Sequence, residues 1–199
     1  ADNDLDLGSG GVVLLWDPAG SSPRLMVCGG KGSKMYVVNR DRMTSDNGHV
    51  NRRGTNDLVV QTLSNAGGSF ATPAWFNNRI YMVPSGAQLI SMPLLNTGVF
   101  DTSSLSAATR THKFPGATPS ISADGTRNGI VWTVKRDTPA VLVAYNATNL
   151  TQEIYSSERP RDQLAEGVKF AVPTVANGKV YVGTKAGLFV FGLLPSTDS

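Results

Sequence analysis

The residues able to do chemistry are few and scattered. Cys28 is the single cysteine of the 199-residue chain, and His49 and His112 are its two histidines. A thiolate nucleophile or a zinc site needs such groups gathered with a base or with further ligands. Cys28 stands instead in the apolar run "LMVCGG", where a small core residue is expected, and no disulfide forms within the chain. One cysteine and two distant histidines make a poor zinc set. Asp2, Asp4 and Asp6 alternate ahead of Gly8 in "DNDLDLG", as at the start of a calcium loop. The EF-hand pattern wants an acid at the twelfth position from the first ligand, and Val13 stands there. A strand entry is the simpler reading, with the three aspartates kept as candidate metal ligands.

Two further groups concern the surface. "NATNLT" holds two Asn-x-Thr acceptors, Asn146 and Asn149, which an extracellular setting would open to glycosylation. The competing reading is a turn that uses asparagine for its backbone geometry. Arg40, Arg42, Arg52 and Arg53 are the densest basic group in a chain of net charge +3 and pI about 9.1. Nucleic-acid binding wants such a patch interleaved with aromatics, and none lies nearby. A solvated loop is expected here, and no nucleic-acid partner.

These residues must be carried by short strands. The chain is 40% hydrophobic and 17% charged, as an ordinary globular sequence is, and its 21 Gly and 11 Pro suit many tight turns. No apolar run is long enough for a transmembrane helix. The start, "ADNDLDLG", does not read as a signal peptide, and a mature secreted chain would have lost one.

The organisation is a repeat. "FATPAWFNNRIYMV" (70–83) and "FAVPTVANGKVYVG" (170–183) share Phe, Ala, Pro, Asn and Tyr in register. A third copy, "GATPSISADGTRNGIVWTV" (116–134), has Trp132 where the others have Tyr81 and Tyr181. Pro73, Pro119 and Pro173 mark a period of about 50 residues, in the range of β-propeller blades. Each unit predicts a strand led by the proline, a turn ("NN", "ADGTRNG" or "ANG"), a second strand, another turn and a third strand. Proline, lacking an N–H, fits a strand start, and Asn, Asp and Gly fit the turns. In the third unit "QEIYS" (152–156) adds a fourth strand. A less regular first unit reads as "GGVVLLWD" (10–17), "PRLMVCGG" (23–30), "KMYVVNR" (34–40) and "DLVVQTLS" (57–64), with a surface loop over 41–56. Four units follow, with blades at about 8–66, 67–112, 113–165 and 166–195, a tail at 196–199, and no helix. A lone four-stranded meander can cover neither of its faces, so the units must stack.

The strings "VPTVANGKVYVGTKAGLFVFG" and "AYNATNLTQEIY" resemble the pyrroloquinoline-quinone-like repeat, "TPxxxxGxVYVGTxxGxLxAxD…TGxxLW". That repeat occurs in quinoprotein alcohol dehydrogenases and in the outer-membrane assembly lipoprotein. "DLDLGSGGVVLL" and "LMVCGGKGSKMYVVNRDRM" look like the subgroup found in large, often extracellular bacterial proteins. The resemblance implies an all-β propeller of four-stranded antiparallel blades, seven or eight in a complete ring. Four blades, the last ending after its third strand, are then expected to be the C-terminal half of a larger propeller. The rest would come from a missing segment, a cleaved companion or a second subunit, so a homo-oligomer or larger assembly is expected.

The same resemblance implies what catalysis would need. The dehydrogenases stack the quinone between a tryptophan and a disulfide of adjacent cysteines, hold Ca²⁺ with Glu, Asn and Asp, and use an Asp as base. This chain has no adjacent cysteines, and Trp16, Trp75 and Trp132 all fall in strand-like runs. No catalytic residue is assigned. The expectation is a non-catalytic module of an extracellular or cell-envelope protein, serving as scaffold or interaction surface, with no firm cofactor. The alternatives are a fragment of a quinone-dependent, Ca²⁺-requiring alcohol or sugar dehydrogenase, or a sugar-binding propeller. Connections between blades gather on one face, where ligands bind. "ERPRDQ" (158–163) lies in such a connection, so Arg159, Arg161 and Asp162 are the interaction candidates, with an inter-blade salt bridge as the competing reading.

Overall fold

The computed structural model describes residues 6–15, 24–43, 59–64 and 66–193. It contains three four-stranded antiparallel sheets and one of three strands, each in plain sequential order. Blade 1 holds β1 (Val12–Leu14), β2 (Leu25–Gly29), β3 (Lys34–Asn39) and β4 (Val59–Ser64). Blade 2 holds β5 (Ala74–Phe76), β6 (Arg79–Met82), β7 (Gln88–Pro93) and β8 (Ser106–Thr111). Blade 3 holds β9 (Ser120–Asp124), β10 (Arg127–Lys135), β11 (Val141–Asn146) and β12 (Asn149–Ser156). Blade 4 holds β13 (Thr174–Ala176), β14 (Lys179–Thr184) and β15 (Gly187–Gly192). Only short 3-10 turns interrupt this pattern among the described residues, and no helix of theirs is long and apolar enough to cross a membrane.

Local chemistry accounts for the blade outline. Pro73, Pro119 and Pro173 each immediately precede the first strand of a blade, where no ladder N–H is needed. Asn77–Asn78 and Asn177–Gly178 join the first two strands of blades 2 and 4, and all four residues have positive φ. That is the hairpin turn whose twist matches its strands.

Three outlines differ from expectation. In blade 3 the stretch expected as the turn "ADGTRNG" is mostly strand: β9 runs to Asp124, β10 starts at Arg127, and a register shift lies between Arg127 and Ile130. Gly129 sits in that shift, and a Cβ there would lie 2.4 Å from the Phe76 ring, so a side chain is excluded by the neighbouring blade. The fourth strand of blade 3 begins at Asn149, ahead of "QEIYS", because Asn146 and Asn149 pair directly across a two-residue turn. Gly10 belongs to a 3-10 turn (Leu7–Gly10), which delays the first strand to Val12. Most of the loop expected over 41–56 lies outside the described residues.

Burial explains the stacking. One apolar cluster joins Leu25, Val27, Met35 and Val37 of blade 1 to Ile80, Met82 and Met92 of blade 2. A second joins Tyr81 and Leu89 of blade 2 to Val131, Val143 and Tyr145 of blade 3. A third joins Leu142 of blade 3 to Val180 and Val182 of blade 4. Odd and even residues of one strand thus serve opposite neighbours, which is the strand period put to use on both faces. The Tyr81 hydroxyl crosses an interface to donate to the Ala147 carbonyl at 2.9 Å. Arg110 of β8 grips Glu153 of β12 with Nε and Nη2 at 2.6 and 2.8 Å, and reaches Glu158 through Nη1 and Nη2.

Candidate functional site

The turns between second and third strands, and the connections between blades, meet on one face. They are sewn together by backbone hydrogen bonds. Ser69 N donates to Gly30 O, and Ser85 N to Gly68 O, which ties the first connection to the turns of blades 1 and 2. His112 N donates to Ala87 O in the second connection. Gly167 N donates to Asp137 O and Lys185 N to Glu166 O in the third. Each connection is therefore pinned to the blade before it and, in the first and third, to the blade after it. Side chains on this face inherit a rigid frame.

The sequence candidates lie at the outer part of the third connection. Pro160–Asp162 form a 3-10 turn that starts after Arg159. Arg159 and Arg161 are exposed. Asp162 accepts a hydrogen bond from the Tyr155 hydroxyl at 3.2 Å, and its other oxygen lies 3.6 Å from Arg161 Nε. Tyr155 packs against Trp132 and Phe191 between blades 3 and 4, and burial pushes its hydroxyl pKa up to about 12. Asp162 thus anchors the connection, while the two arginines face solvent. The inter-blade salt bridge of this stretch is made one position before Arg159, by Glu158 with Arg110, which holds the Glu158 carboxyl below its usual range.

At the inner end the structure brings together residues the sequence reading did not single out. Phe70, Phe114 and Phe170 come from three different positions along two hundred residues. Phe70 and Phe114 meet edge to face with centroids 5.1 Å apart, and Lys169 Nζ lies 5.2 Å from the Phe114 ring centre. Phe114 and Phe170 are 46% and 61% exposed, a large share for aromatic side chains on a rigid frame. A narrow cleft with room for about one water, 10 Å³, runs between Phe70 and Phe170 past Gly116, Val134 and Arg136. Gly116 holds the repeat position of Phe70 and Phe170. Its φ is +90°, and a Cβ would come 2.3 Å from Val83 O, so only glycine fits and the cleft stays open there.

Phe170 itself has φ +65°, an unusual conformation for a bulky residue. Arg136 donates Nε–H to Phe114 O at 3.1 Å and separates the cleft from an open basin of about 660 Å³. Lys113, Lys135, Asp137 and Glu166 line that basin. Lys113 lies 2.6 Å from Asp137, and Lys185 lies 2.6 Å from Glu166. Among the described residues neither Lys169 nor Arg136 has an acidic partner. The only sequence signal for this patch was the Phe shared by "FATP" and "FAVP".

Asp6 faces Lys31 Nζ at 2.8 Å, while Asp2 and Asp4 lie outside the described residues. Asn146 accepts from the backbone N–H and hydroxyl of Thr148, and Asn149 does the same with Thr151. Both therefore close local turns. Asn146 also donates Nδ2–H to Gln152, whereas the Asn149 amide nitrogen has no partner among the described residues. Cys28 is half-buried in β2, and burial pushes its thiol pKa up, away from a reactive thiolate. His112 is fully buried beside Thr133, and His49 and Trp16 lie outside the described residues. Trp132 donates to Ser122 inside blade 3, and Trp75 packs on Phe100 between blades 1 and 2. Of the described tryptophans, Trp132 and Trp75 are held in packing, and the single Cys28 has no neighbouring cysteine to form a disulfide, so these residues do not fit a quinone sandwich.

Four consecutive antiparallel blades, packed face to face with their connections on one side, define a β-propeller arc. Solved structures agree in fold. The chain is similar to BamB from Moraxella catarrhalis, with TM-score 0.52 and 15% identity over 89% of this chain and 45% of that one. It is also similar to the computationally designed Ika4 protein, with TM-score 0.56 and 11% identity over 95% of both chains. This chain thus spans less than half the length of BamB. No family model and no curated protein sequence matches it.

Proposed function

We propose that this chain is a non-catalytic β-propeller module of the pyrroloquinoline-quinone-like kind, in an extracellular or cell-envelope protein, and that its connection face docks a protein partner. The observation that carries the reading is the inner patch. Two exposed aromatic rings stand on pinned backbone beside two cations, Arg136 and Lys169, that have no acidic partner among the described residues. Aromatic and arginine side chains on a rigid support are what the centres of protein interfaces use. The partner chemistry that fits is an extended segment with an apolar side chain next to a carboxylate. Arg159 and Arg161 extend the positive field outward along the third connection and act as steering charges. The envelope setting is supported by the repeat's resemblance to that of the outer-membrane assembly lipoprotein, together with the likeness in fold to BamB from Moraxella catarrhalis.

The test is an array of short peptides that pair Phe, Leu or Trp with Asp or Glu. Binding is expected for such peptides, and is expected to fall at least tenfold in Phe170→Ala and in Lys169→Glu. Binding that ignores both substitutions overturns the reading. The dehydrogenase alternative is tested on the same protein after adding the quinone and Ca²⁺. No quinone absorption band and no reduction of an artificial acceptor by alcohols or sugars are expected. Either signal would replace the interaction reading with the catalytic one.

A further inference from the structure

Blades in this chain meet by a single rule: the face of one that looks back along the chain packs on the forward face of the one before. On blade 2, Ile80, Met82 and Met92 look back to blade 1, while Tyr81 and Leu89 look forward to blade 3. Blade 3 repeats this with Val131, Val143 and Tyr145 looking back and Leu142 looking forward. Blade 4 presents Val180 and Val182 backward.

Strand register identifies the forward positions of blade 4. Tyr81 pairs with Ser91, Trp132 with Ala144, and Tyr181 with Val190. Val190 is therefore the equivalent of Ser91 and Ala144, and Leu188 of Leu89 and Leu142. Those four equivalents are completely buried, whereas Leu188 is 67% and Val190 51% exposed. Tyr81 donates its hydroxyl across an interface, while Tyr181 at the same position has no partner among the described residues. Beyond β15 no further strand is paired among the described residues.

Blade 1 presents the matching surface. Val13 looks forward, into the cluster shared with blade 2, so Val12 and Leu14 look back. They pair with Cys28 and Met26, which pair in turn with Tyr36 and Val38. These six residues form a largely apolar backward face, with the Tyr36 hydroxyl and the Cys28 thiol as its polar groups. Val12 and Leu14 are 54% and 55% exposed, and the other four are half-buried. No cluster among the described residues joins blade 4 to blade 1.

We infer that two copies of the 199-residue chain, on their own, close one ring, the forward face of blade 4 in each packing on the backward face of blade 1 in the other. Three observations favour a second copy over an unrelated partner. Each open face matches the kind of face the other lacks, and both are carried by the same chain. A head-to-tail pair of unlike faces in two copies gives two identical contacts and leaves neither face open. The arc length also fits, since the portion superposed on BamB occupies 45% of that chain, so two arcs account for about one such chain. This inference stands on the blade faces and is independent of what the connection face binds.

The test is native mass spectrometry and light scattering of the purified 199-residue chain. The expected mass is twice the 21.1 kDa of one chain. Leu188→Asp with Val190→Asp, and separately Val12→Asp with Leu14→Asp, are each expected to return the mass to one chain with the circular dichroism spectrum unchanged. All four residues are already exposed, so folding of the single chain does not depend on them. Mixing the two double variants is expected to restore a two-chain species, because one intact contact remains between them. A wild-type chain that stays monomeric at high concentration overturns the inference. So do open-ended polymers, a dimer indifferent to both variants, or a mixture that fails to pair.

Discussion

Phe170 offers a test of the site and of its backbone together. Its φ of +65° lies in the left-handed region, which costs an L-residue about 1–2 kcal/mol. The ring is 61% exposed, so roughly 80 Å² of it is covered, which stabilises by about 2 kcal/mol at most. The two contributions nearly cancel, so a residue chosen for stability alone would not be phenylalanine. Comparing Phe170→Ala with Phe170→Gly removes the ring from both variants and leaves the backbone contribution. Glycine escapes the left-handed cost but loses about 0.5–1 kcal/mol in unfolded-state entropy. The glycine variant is therefore expected to be more stable than the alanine variant by roughly 0.5–1 kcal/mol, the reverse of their order at an ordinary position. In urea that is a midpoint difference of roughly 0.2–0.4 M at equal slope. Both variants should lose peptide binding to the same extent. An alanine variant more stable than the glycine one would refute the left-handed backbone and, with it, the argument that stability was traded for an exposed ring.

Two further outcomes follow from buried and half-buried charge. Burial lowers the pKa of His112 from 6.5 to about 4, so the neutral imidazole is the folded form. The unfolded chain takes up a proton first, so stability is intact above about pH 6.5 and falls by about 3 kcal/mol as the pH drops toward 4. His112→Gln should flatten that window in urea titrations across pH, and an unchanged slope would remove His112 as its source. Arg110 and Glu153 are 24% and 27% exposed and paired through two hydrogen bonds, so a double-mutant cycle of Arg110→Met and Glu153→Gln should give a coupling of roughly 1–2 kcal/mol. A coupling near zero would mean that this ion pair adds nothing to the apolar stacking and to the Tyr81–Ala147 hydrogen bond that join blades 2 and 3.

What could be read from the chain beforehand was what depends on neighbours in sequence. Asn77–Asn78 and Asn177–Gly178 announced hairpins because positive φ is a property of two residues. The three prolines marked strand starts for an equally local reason. Longer range defeated the same reading. Of the turn expected at 123–129 only Gly125 and Thr126 stay a turn, and Gly129 lies in strand where a side chain would meet Phe76 of blade 2, a constraint that no local rule contains. "ERPRDQ" was placed correctly in a connection, but it was the preceding blade, through Arg110, that gave Glu158 its role.

By itself, then, the sequence determined the repeat, the alternating apolar strands and the turns, and these oblige the units to stack. Only the tertiary structure decided which faces are filled and which stand open. Leu89, Leu142 and Leu188 occupy one repeat position, yet two are buried and the third is two-thirds exposed, because burial depends on the neighbouring blade and not on the residue. The same holds for Phe70, Phe114 and Phe170, which became a patch only when three connections folded back over the ends of the blades.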